Sequence, residues 1–299
     1  HSPSWIAPLF QQLFENAIGP DWKEQVKRPG DWAKAVAGIP DADIWSTHQM
    51  LKNFFIAFIR ERTKRKETGE QDTINERADT RDLFSADVLT IGFARRVAQY
   101  KRWDLLLTDV DRLLRMVDHA DRPVQFVFAG KAHPQDRTAK EILQELMSIN
   151  HKSDWQKRAV FIEDYDQEVA RYLVHGVDVW MNVPRRPHEA SGTSGMKAAM
   201  NGVLNFSILD GWWIEGYNGT NGFAVGDLSD FESDVSIDAE EAESLYSTLE
   251  NALIPTYYSN DGGLPKKWIA MMRDSISTLT PMFSSDRMVH DYLTQIYRR

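Results

Sequence analysis

The sequence lacks cysteine altogether, and it has no apolar run of the length that a membrane helix needs. Without thiols the chain cannot form disulfides, thiolate metal sites or cysteine nucleophiles, and we expect a reducing, cytoplasmic location. A membrane span needs about 18 consecutive apolar residues, so we expect no membrane partner. The 35 basic residues are outnumbered by 44 acidic ones, and the net charge of −9 argues against nucleic-acid binding. Any anion-binding site must therefore be local.

Several familiar motifs are also missing. There is no Gly-x-Ser-x-Gly elbow, which removes the usual α/β-hydrolase serine. No predicted strand opens into Gly-x-Gly-x-x-Gly, which weakens a dinucleotide-binding interpretation. His133 and His188 have no partner at metal-ligand spacing, so we expect no metal site. The chain begins with His1-Ser2-Pro3, without a methionine or a signal-like segment, and we therefore expect a fragment.

The chain does contain helical patterns followed by an alternation of strands and helices. Apolar residues recur at helical spacing from Trp5 to Phe14 and from Ile44 to Phe58, and the stretch from Glu61 to Asp82 is polar, typical of a helix tail that runs into an exposed loop. Five β-rich runs then alternate with amphipathic segments, which predicts an α/β fold with a doubly wound parallel sheet. The predicted strands are Val88–Phe93, Val124–Ala129, Ala159–Glu163, Val177–Asn182 and Val203–Leu209.

After the last predicted strand, an acidic loop from Asp230 to Glu241 leads into three helical patterns that would pack on the sheet or reach another domain. These patterns cover Glu243–Tyr258, Pro265–Thr278 and Asp286–Tyr297. We therefore divide the chain into three segments. They are N-terminal helices with a charged loop (1–82), a Rossmann-like domain (83–228) and C-terminal helices (229–299).

Polar residues follow each predicted strand. In open α/β sheets, ligands bind beyond the carboxyl ends of the strands, so these residues are the candidates for a site. Five of them are basic and would converge there, namely Arg95, Arg96, Lys101, Lys131 and Lys197. Their convergence in an acidic chain favours an anionic, phosphorylated ligand. Taken singly, such arginines are more often surface charges, and the pair Trp212-Trp213 is more often packing than a sugar platform.

One stretch, from His188 to Gly202, combines a small-residue turn with a short apolar helix. Free backbone N–H groups and the helix dipole at such a helix start suit a phosphate, and Lys197 falls within the first helical stretch. It is not a Walker loop, because the two glycines are three apart and Met196 precedes the lysine. The alternative is an ordinary glycine-rich connection with a solvated lysine, in which Glu189 balances the helix dipole.

The segment Glu189–Lys197, together with Ala94-Arg95-Arg96 and Tyr100-Lys101-Arg102 upstream, resembles the α-glucan (glycogen and starch) phosphorylases, and it is most similar to the compact bacterial and archaeal type. The same family order is found in Gly130-Lys131-Ala132, Glu163-Asp164-Tyr165 and Asp210-Gly211. The resemblance implies the second, cofactor-bearing domain of a two-domain glycosyltransferase of the GT-B type. The N-terminal domain of such an enzyme would be missing from this chain.

The resemblance also implies roles for individual residues. Lys197 would hold pyridoxal 5′-phosphate as a Schiff base, Arg95 would pair with the cofactor phosphate, and Tyr165 would pack beside the cofactor. Arg96 and Lys101 would grip the substrate phosphate. The residues implied to surround the cofactor phosphate are Thr193, Ser194 and Gly195, and those implied to bind glucose hydroxyls are Glu189, Ser191 and Gly192.

The implied reaction is reversible phosphorolysis of an α-1,4-glucan by inorganic phosphate to α-glucose 1-phosphate, with retention at the anomeric carbon. The cofactor's phosphate acts as the acid–base partner of the substrate phosphate. The chain departs from the animal and plant members at two pairs and one single position, since those members carry His-Glu at Ala98-Gln99, Gly-Asn at Ser194-Gly195 and arginine at Asp166. Phosphorylases are often dimers, so a homodimer is also left open.

Two alternatives remain open at this point. A nucleotide-sugar glycosyltransferase such as glycogen synthase also has a Rossmann-like second domain with basic residues after its first strand. Such enzymes carry two glutamates seven residues apart, whereas this chain has Glu189 and then Met196. The second alternative is a non-catalytic half-enzyme that only binds the cofactor or is merely structural, because glucan chemistry in a two-domain transferase takes place in the cleft between the domains.

Overall fold

The computed structural model describes residues 2–67, 83–149, 155–227 and 234–297. The strands in these ranges are β1 (Leu89–Ala94), β2 (Val124–Ala129), β3 (Ala159–Ile162), β4 (Val179–Asn182), β5 (Leu204–Ile208) and β6 (Gly222–Val225). Within the described residues these six strands form one parallel sheet in the order β3-β2-β1-β4-β5-β6. The strand order reverses between β1 and β4, which opens a crevice at their carboxyl ends.

Helices precede, connect and follow the strands. Before the sheet lie α1 (Ser2–Trp5), α2 (Pro8–Ala17), α3 (Trp22–Gln25), α4 (Pro29–Ala37) and α5 (Asp41–Glu67). Among the strands lie the 3₁₀ turns Gln99–Lys101 and Trp103–Leu107 and the helices α6 (Val110–Val117), α7 (Arg137–Ser148), α8 (Trp155–Arg158), α9 (Gln167–Gly176), α10 (Thr193–Ala199) and α11 (Trp212–Gly216). After the sheet come α12 (Asp234–Thr248), the π-helical turn Leu249–Leu253, α13 (Ile254–Tyr257), α14 (Lys266–Met282), α15 (Ser285–Asp291) and the π-helical turn Tyr292–Tyr297.

The strands are buried on both faces of the sheet, which explains why apolar residues dominate their sequences. Every residue of β1 and β2 is buried. Alternate side chains enter two hydrophobic clusters, with Phe93 and Phe126 in one and Val127 and Trp180 in the other. Helices cover both faces, so the prediction of an α/β fold with a doubly wound parallel sheet is confirmed.

The five predicted strands are confirmed to within two residues at either end, but β6 was missed. It is only four residues long and opens with Gly222, so it lacks the apolar run that identifies a buried strand. The glycine is needed because an added Cβ would lie 2.7 Å from the carbonyl oxygen of Asn205 in β5. This close approach to β5 is a tertiary requirement.

The predicted acidic loop from Asp230 to Glu241 is wrong over its second part, because α12 begins at Asp234. Acidic residues are favoured near a helix N-terminus, so the same charges are also typical of a helix start. Glu241, which we had assigned to a loop, is only 1% exposed. Residues 230–233 lie outside the described residues.

The helices before and after the sheet share a hydrophobic cluster with it. Phe14 and Trp32 come from the first group of helices, and Trp268 and Ile276 come from the last. The Trp32 indole also donates to the Ile276 carbonyl oxygen at 3.1 Å. The division at residues 82 and 228 stays a prediction, since both positions lie outside the described residues. The predicted loop beyond Glu67 also lies outside the described residues up to residue 82.

The long helix α5 contains the beginning of the polar stretch that we expected to be a helix tail, and it continues to Glu67. In the described ranges, none of the helices combines the length and the apolar character that crossing a membrane requires.

Candidate functional site

Lys197 lies in the last turn of the short helix α10, which follows the glycine-rich turn. Gly192 is the N-cap of this helix and has a φ of 90°, a backbone conformation that residues other than glycine rarely adopt. The Lys197 amine lies 3.9 Å from the centre of the Trp5 ring, and in the described part of the chain it has no ion pair. Burial lowers the pKa of Lys197. A larger fraction of its amine is therefore neutral and nucleophilic than in a solvated lysine.

Trp5 is a site residue that the sequence analysis missed, because we assigned it only to a helical apolar pattern. Its carbonyl oxygen accepts a hydrogen bond from Asn201 Nδ2 at 2.9 Å and lies 3.0 Å from His175 Nε2. The same Asn201 amide donates to the Lys197 carbonyl oxygen at 2.8 Å. Trp5 and Asn201 are 196 positions apart, so no local pattern contains a signal for this contact.

Glu189 joins two of the strand-end cations. Arg95 and Lys101 both donate to its Oε2 atom, and Arg95 also donates to Asn182 Oδ1. The Arg95, Lys101 and Glu189 side chains are at most 10% exposed. Burial raises the pKa of Glu189, but the hydrogen bond from Lys101 and the charge of Arg95 outweigh it and leave the pKa below its ordinary value. Two buried cations thus share one carboxylate, which leaves a net positive charge.

Arg96 and Lys101 both interact with Tyr100. The Lys101 amine lies 4.4 Å from the centre of the Tyr100 ring, and Arg96 is exposed to solvent. Burial raises the pKa of Tyr100, but hydrogen bonds from Lys101 and Arg96 outweigh it, and the pKa lies below its ordinary value. The two cations predicted to grip a phosphate therefore lie beside the same phenol.

Tyr165 lies close enough to Arg95 for the arginine charge to affect it. Burial raises the pKa of Tyr165 to about 12, and the Arg95 charge acts in the opposite direction. Lys131, the fifth predicted cation, is in a more exposed environment than Arg95 and Lys101. It is 60% exposed and lies 3.9 Å from Asp164 Oδ1.

The loop that carries Glu189 and Ser191 is fixed to the end of β5. The backbone N–H of Glu189 donates to Asp210 Oδ2 at 3.0 Å, and that of Trp212 donates to the Ser191 carbonyl oxygen at 2.9 Å. An added Cβ on Gly211 would lie 2.5 Å from the same Ser191 oxygen. The two segments are thus held in contact, and Glu189 of this loop lies beside Arg95 and Lys101, which follow β1.

The two adjacent tryptophans serve packing, as expected from the sequence. Trp212 is 3% and Trp213 is 0% exposed. The Trp213 indole donates to the Phe223 carbonyl oxygen at 3.2 Å, and Trp212 packs against Phe283. Neither ring is available as a sugar platform.

The residues predicted to surround a cofactor phosphate form the first turn of α10. Thr193 is exposed, Ser194 is half-buried and Gly195 is buried. Gly195 and Gly192 leave the backbone of this turn uncovered by their own side chains. Met196 alone separates these three residues from Lys197 in the chain.

Metal ligands are not gathered in the described residues, where no group of three or more histidine, aspartate or glutamate side chains is placed to hold an ion. The Nδ1 atom of His133 accepts a hydrogen bond from the Gln135 backbone N–H at 3.2 Å. His188 packs against Tyr100 with 6.2 Å between the ring centres.

The fold and the site together define the class of protein. It is an α/β protein with a parallel sheet, a cluster of cations after its strand ends, and a lysine of lowered pKa on helix α10. The carbohydrate phosphorylase family model matches residues 7–226, and the chain belongs to this family. The resemblance found in the sequence is therefore confirmed.

Relatives of the chain include three named phosphorylases. It is 44% identical to the glycogen phosphorylase of Aquifex aeolicus, over 100% of this chain and 43% of that protein. It is 43% identical to the maltodextrin phosphorylase of Thermococcus litoralis, over 100% of this chain and 35% of that protein. It is 37% identical to the glycogen phosphorylase of Mycobacterium tuberculosis, over 99% of this chain and 34% of that protein. The chain thus spans less than half the length of these relatives.

Proposed function

We propose that this chain is the carboxyl-terminal, cofactor-binding part of an α-glucan phosphorylase. The proposed reaction is reversible phosphorolysis of an α-1,4-glucan by inorganic phosphate to α-glucose 1-phosphate. The observation that carries the proposal is the Lys197 amine, which has a lowered pKa and lies against the ring of Trp5. Membership of the carbohydrate phosphorylase family supports the same assignment.

Pyridoxal 5′-phosphate fits the residues of the candidate site in two respects. The Lys197 amine is half-buried and lies against an aromatic ring, which suits covalent attachment of an aromatic aldehyde. Arg95 Nε is buried and has no hydrogen-bond partner in the described part of the chain. The N–H group at this atom can therefore donate a hydrogen bond to a bound anion. In this proposal Lys197 anchors the cofactor, and Arg95 pairs with its phosphate.

The remaining site residues take the roles that the family motif implies. When bound, the cofactor supplies a phosphate that acts as the acid–base partner of the substrate phosphate. Arg96 and Lys101 grip the substrate phosphate and hold the two anions together. Thr193, Ser194, Gly195 and Tyr165 line the cofactor, and Glu189, Ser191 and Gly192 bind the glucose hydroxyls.

Glu189 has a second task in this proposal, which follows from its contacts. Its carboxylate accepts hydrogen bonds from both Arg95 and Lys101, and it keeps these like charges side by side. The pair retains a net positive charge, so a phosphate can join the cations without first removing the carboxylate. The site is therefore organised for anions by this chain's own residues.

We further propose that this chain by itself does not catalyse phosphorolysis. It spans less than half the length of its relatives, and a two-domain transferase works in the cleft between its domains. The activity assay therefore needs a longer form that carries both walls of the cleft, whereas cofactor attachment can be tested on the chain itself.

The first test is cofactor attachment at Lys197. The chain is incubated with pyridoxal phosphate, reduced with borohydride and mapped by peptide mass spectrometry. We expect a reduced adduct on Lys197, which Lys197→Arg abolishes. Lys131→Arg is the matched control, because Lys131 is an exposed lysine at another strand end, and this variant should label normally. Equal labelling of surface lysines in the wild type and in Lys197→Arg would contradict the proposal.

The second test is the reaction of the longer form. Glucan and inorganic phosphate should yield glucose 1-phosphate, and Lys197→Arg should reduce the rate at least about a thousandfold, because a cofactor that carries the acid–base group is lost. The same preparation is offered a nucleotide sugar as donor. Glucan extension from the nucleotide sugar, with no phosphorolysis, would favour the glycogen synthase-like alternative.

A further inference from the structure

Arg102 follows Lys101 directly and has an unusual backbone conformation. Its φ is 46° and its ψ is 55°, in the left-handed region that residues other than glycine rarely adopt. It ends the 3₁₀ turn Gln99–Lys101 and begins the next one. A non-glycine residue remains in this conformation only where its surroundings hold it there.

The guanidinium of Arg102 makes the contacts that hold it. Its Nε donates to the Val183 carbonyl oxygen at 3.0 Å, and its Nη2 donates to the Pro184 carbonyl oxygen at 2.8 Å. On its other side, Nη1 donates to Asp238 Oδ1 at 2.8 Å, and Nη2 lies 2.5 Å from Glu241 Oε2. The residue is only 3% exposed. One side chain thus joins the 3₁₀ turn, the loop after β4 and helix α12.

The same loop holds the turn at a second point and then leads to Glu189. The backbone N–H of Arg185 donates to the Tyr100 carbonyl oxygen at 2.7 Å. Four residues further on, Glu189 accepts the hydrogen bond from the Lys101 amine. Lys101 is therefore held at its side chain by Glu189 and at its backbone by the contacts of Tyr100 and Arg102.

We propose that Arg102 is a positioning residue, and that its guanidinium, bound by Asp238 and Glu241 of α12, fixes the place of the Lys101 amine. For the role of Lys101 in gripping phosphate this inference rests on the proposed function. The positioning itself depends only on the contacts of this chain. It assigns helix α12, which follows the sheet in the chain, a direct connection to the anion site.

Only a guanidinium suits this position. Its planar fork offers five N–H donors, and four acceptors from two separate segments surround it here. Arg102→Gln removes most of these donors without adding a lysine. Arg102→Gly removes all of them but makes the left-handed conformation easier to adopt. If Arg102 were needed only for its left-handed backbone conformation, Arg102→Gly would leave the Lys101 amine in its wild-type position.

Arg112 provides a matched control. It also binds carboxylates of the C-terminal helices, with Nη1 2.7 Å from Glu243 Oε2 and Nη2 2.7 Å from Glu250 Oε2. It lies on α6, and its two carboxylate partners are 67% and 34% exposed. Arg112→Gln therefore removes comparable contacts between an arginine and C-terminal carboxylates without changing the contacts of the turn that carries Lys101.

The test that does not need activity is the acylation rate of individual lysines, measured with an N-hydroxysuccinimide ester and peptide mass spectrometry on the folded chain. Lys101 is only 7% exposed, so it should react slowly in the wild type. We expect Lys101 to react about tenfold faster in Arg102→Gly and Arg102→Gln, and at the wild-type rate in Arg112→Gln.

Asp238→Asn keeps Arg102 in place and should give a smaller increase in the Lys101 acylation rate, so the proposal can still be tested if the Arg102 variants do not fold. A wild-type Lys101 rate in folded Arg102→Gly, or in Asp238→Asn where that variant alone folds, would overturn the proposal.

The second measurement is kinetic and uses the longer form of the protein. Arg102→Gln should raise the KM for phosphate about tenfold, with a smaller change in kcat and an unchanged KM for glucan. Faster acylation of Lys101 with an unchanged phosphate KM would overturn its link to phosphate. A wild-type protein without phosphorolysis would refute the proposed function instead, and the acylation rates would still decide whether Arg102 positions Lys101.

Discussion

Gly195 has no room for a side chain. An added Cβ would lie 2.4 Å from Asn205 Oδ1 and 2.8 Å from a ring carbon of Trp212. The Asn205 amide instead donates to the Gly195 carbonyl oxygen at 3.1 Å. Position 195 is one of the departures from the family resemblance noted in the sequence. In this chain the glycine makes space for an asparagine from β5.

A single methyl group at this position tests the packing. Gly195→Ala should lower the free energy of unfolding by about 1–3 kcal/mol, because both neighbours are buried and cannot move freely. Gly30→Ala is the control, since Gly30 lies in α4 with nothing within 4 Å of an added Cβ. The control should change the free energy of unfolding by less than about 1 kcal/mol, in the stabilising direction. Denaturant unfolding of both variants measures the difference, and equal values would contradict the packing argument.

At the scale of the single element, Asp166 explains the start of α9. Its side chain accepts a hydrogen bond from the Val169 backbone N–H at 2.9 Å, which is the N-cap arrangement. From the sequence alone, Asp166 was noted only as a departure from the family resemblance. The structure assigns the aspartate to the helix that follows Tyr165.

The cap can be tested by comparing two substitutions. Asp166→Ala should lower the free energy of unfolding by about 1 kcal/mol, since the Val169 N–H loses its acceptor. Asp166→Asn keeps a side-chain oxygen and should stay within a few tenths of a kcal/mol of the wild type. If the alanine and asparagine variants unfold at the same denaturant concentration, the hydrogen bond does not stabilise α9.

At the scale of the whole molecule, a fully buried ion pair connects the N-terminal helices, the sheet and the C-terminal helices. Lys52 of α5 donates to Asp178 Oδ2 at 2.6 Å and to the Tyr257 hydroxyl at 2.9 Å, and both members of the pair are 0% exposed. His48 Nε2 lies 2.7 Å from Asp178 Oδ1, and the Thr90 N–H donates to the same carboxylate. Burial lowers the pKa of Lys52, with the Asp178 charge opposing it. The cluster lies at the amino ends of β1 and β4, opposite the candidate site.

Breaking this pair should destabilise the entire chain. Lys52→Met leaves the Asp178 carboxylate buried without its cation and should cost about 3–5 kcal/mol of unfolding free energy. Lys52→Met combined with Asp178→Asn should recover part of that loss, with an interaction energy of about 2 kcal/mol in the double-mutant cycle.

The exposed pair of Lys266 and Asp261 is the control for this cycle, because its members are 51% and 74% exposed. Lys266→Met should change the free energy of unfolding by less than about 1 kcal/mol. Additive losses for Lys52 and Asp178 would mean that the buried pair does not couple the three parts of the molecule.

The sequence by itself determined the fold class and the family. Strands buried on both faces are mostly apolar, so β1 to β5 were recognisable from local composition. The same is true of the motif from Glu189 to Lys197, because a turn that needs glycine at Gly192 and a lysine at a fixed offset is encoded within nine residues. The placement of these site residues at strand ends followed from the rule for parallel sheets.

Only the tertiary structure decided which of these residues touch. The contact between Trp5 and Lys197, the sharing of Glu189 by Arg95 and Lys101, and the edge strand β6 all depend on segments far apart in the chain. Local patterns record which face of an element is buried but not which distant element covers it. The acidic start of α12 shows the same limit, since charge is compatible with a loop or with a helix N-terminus until packing selects one.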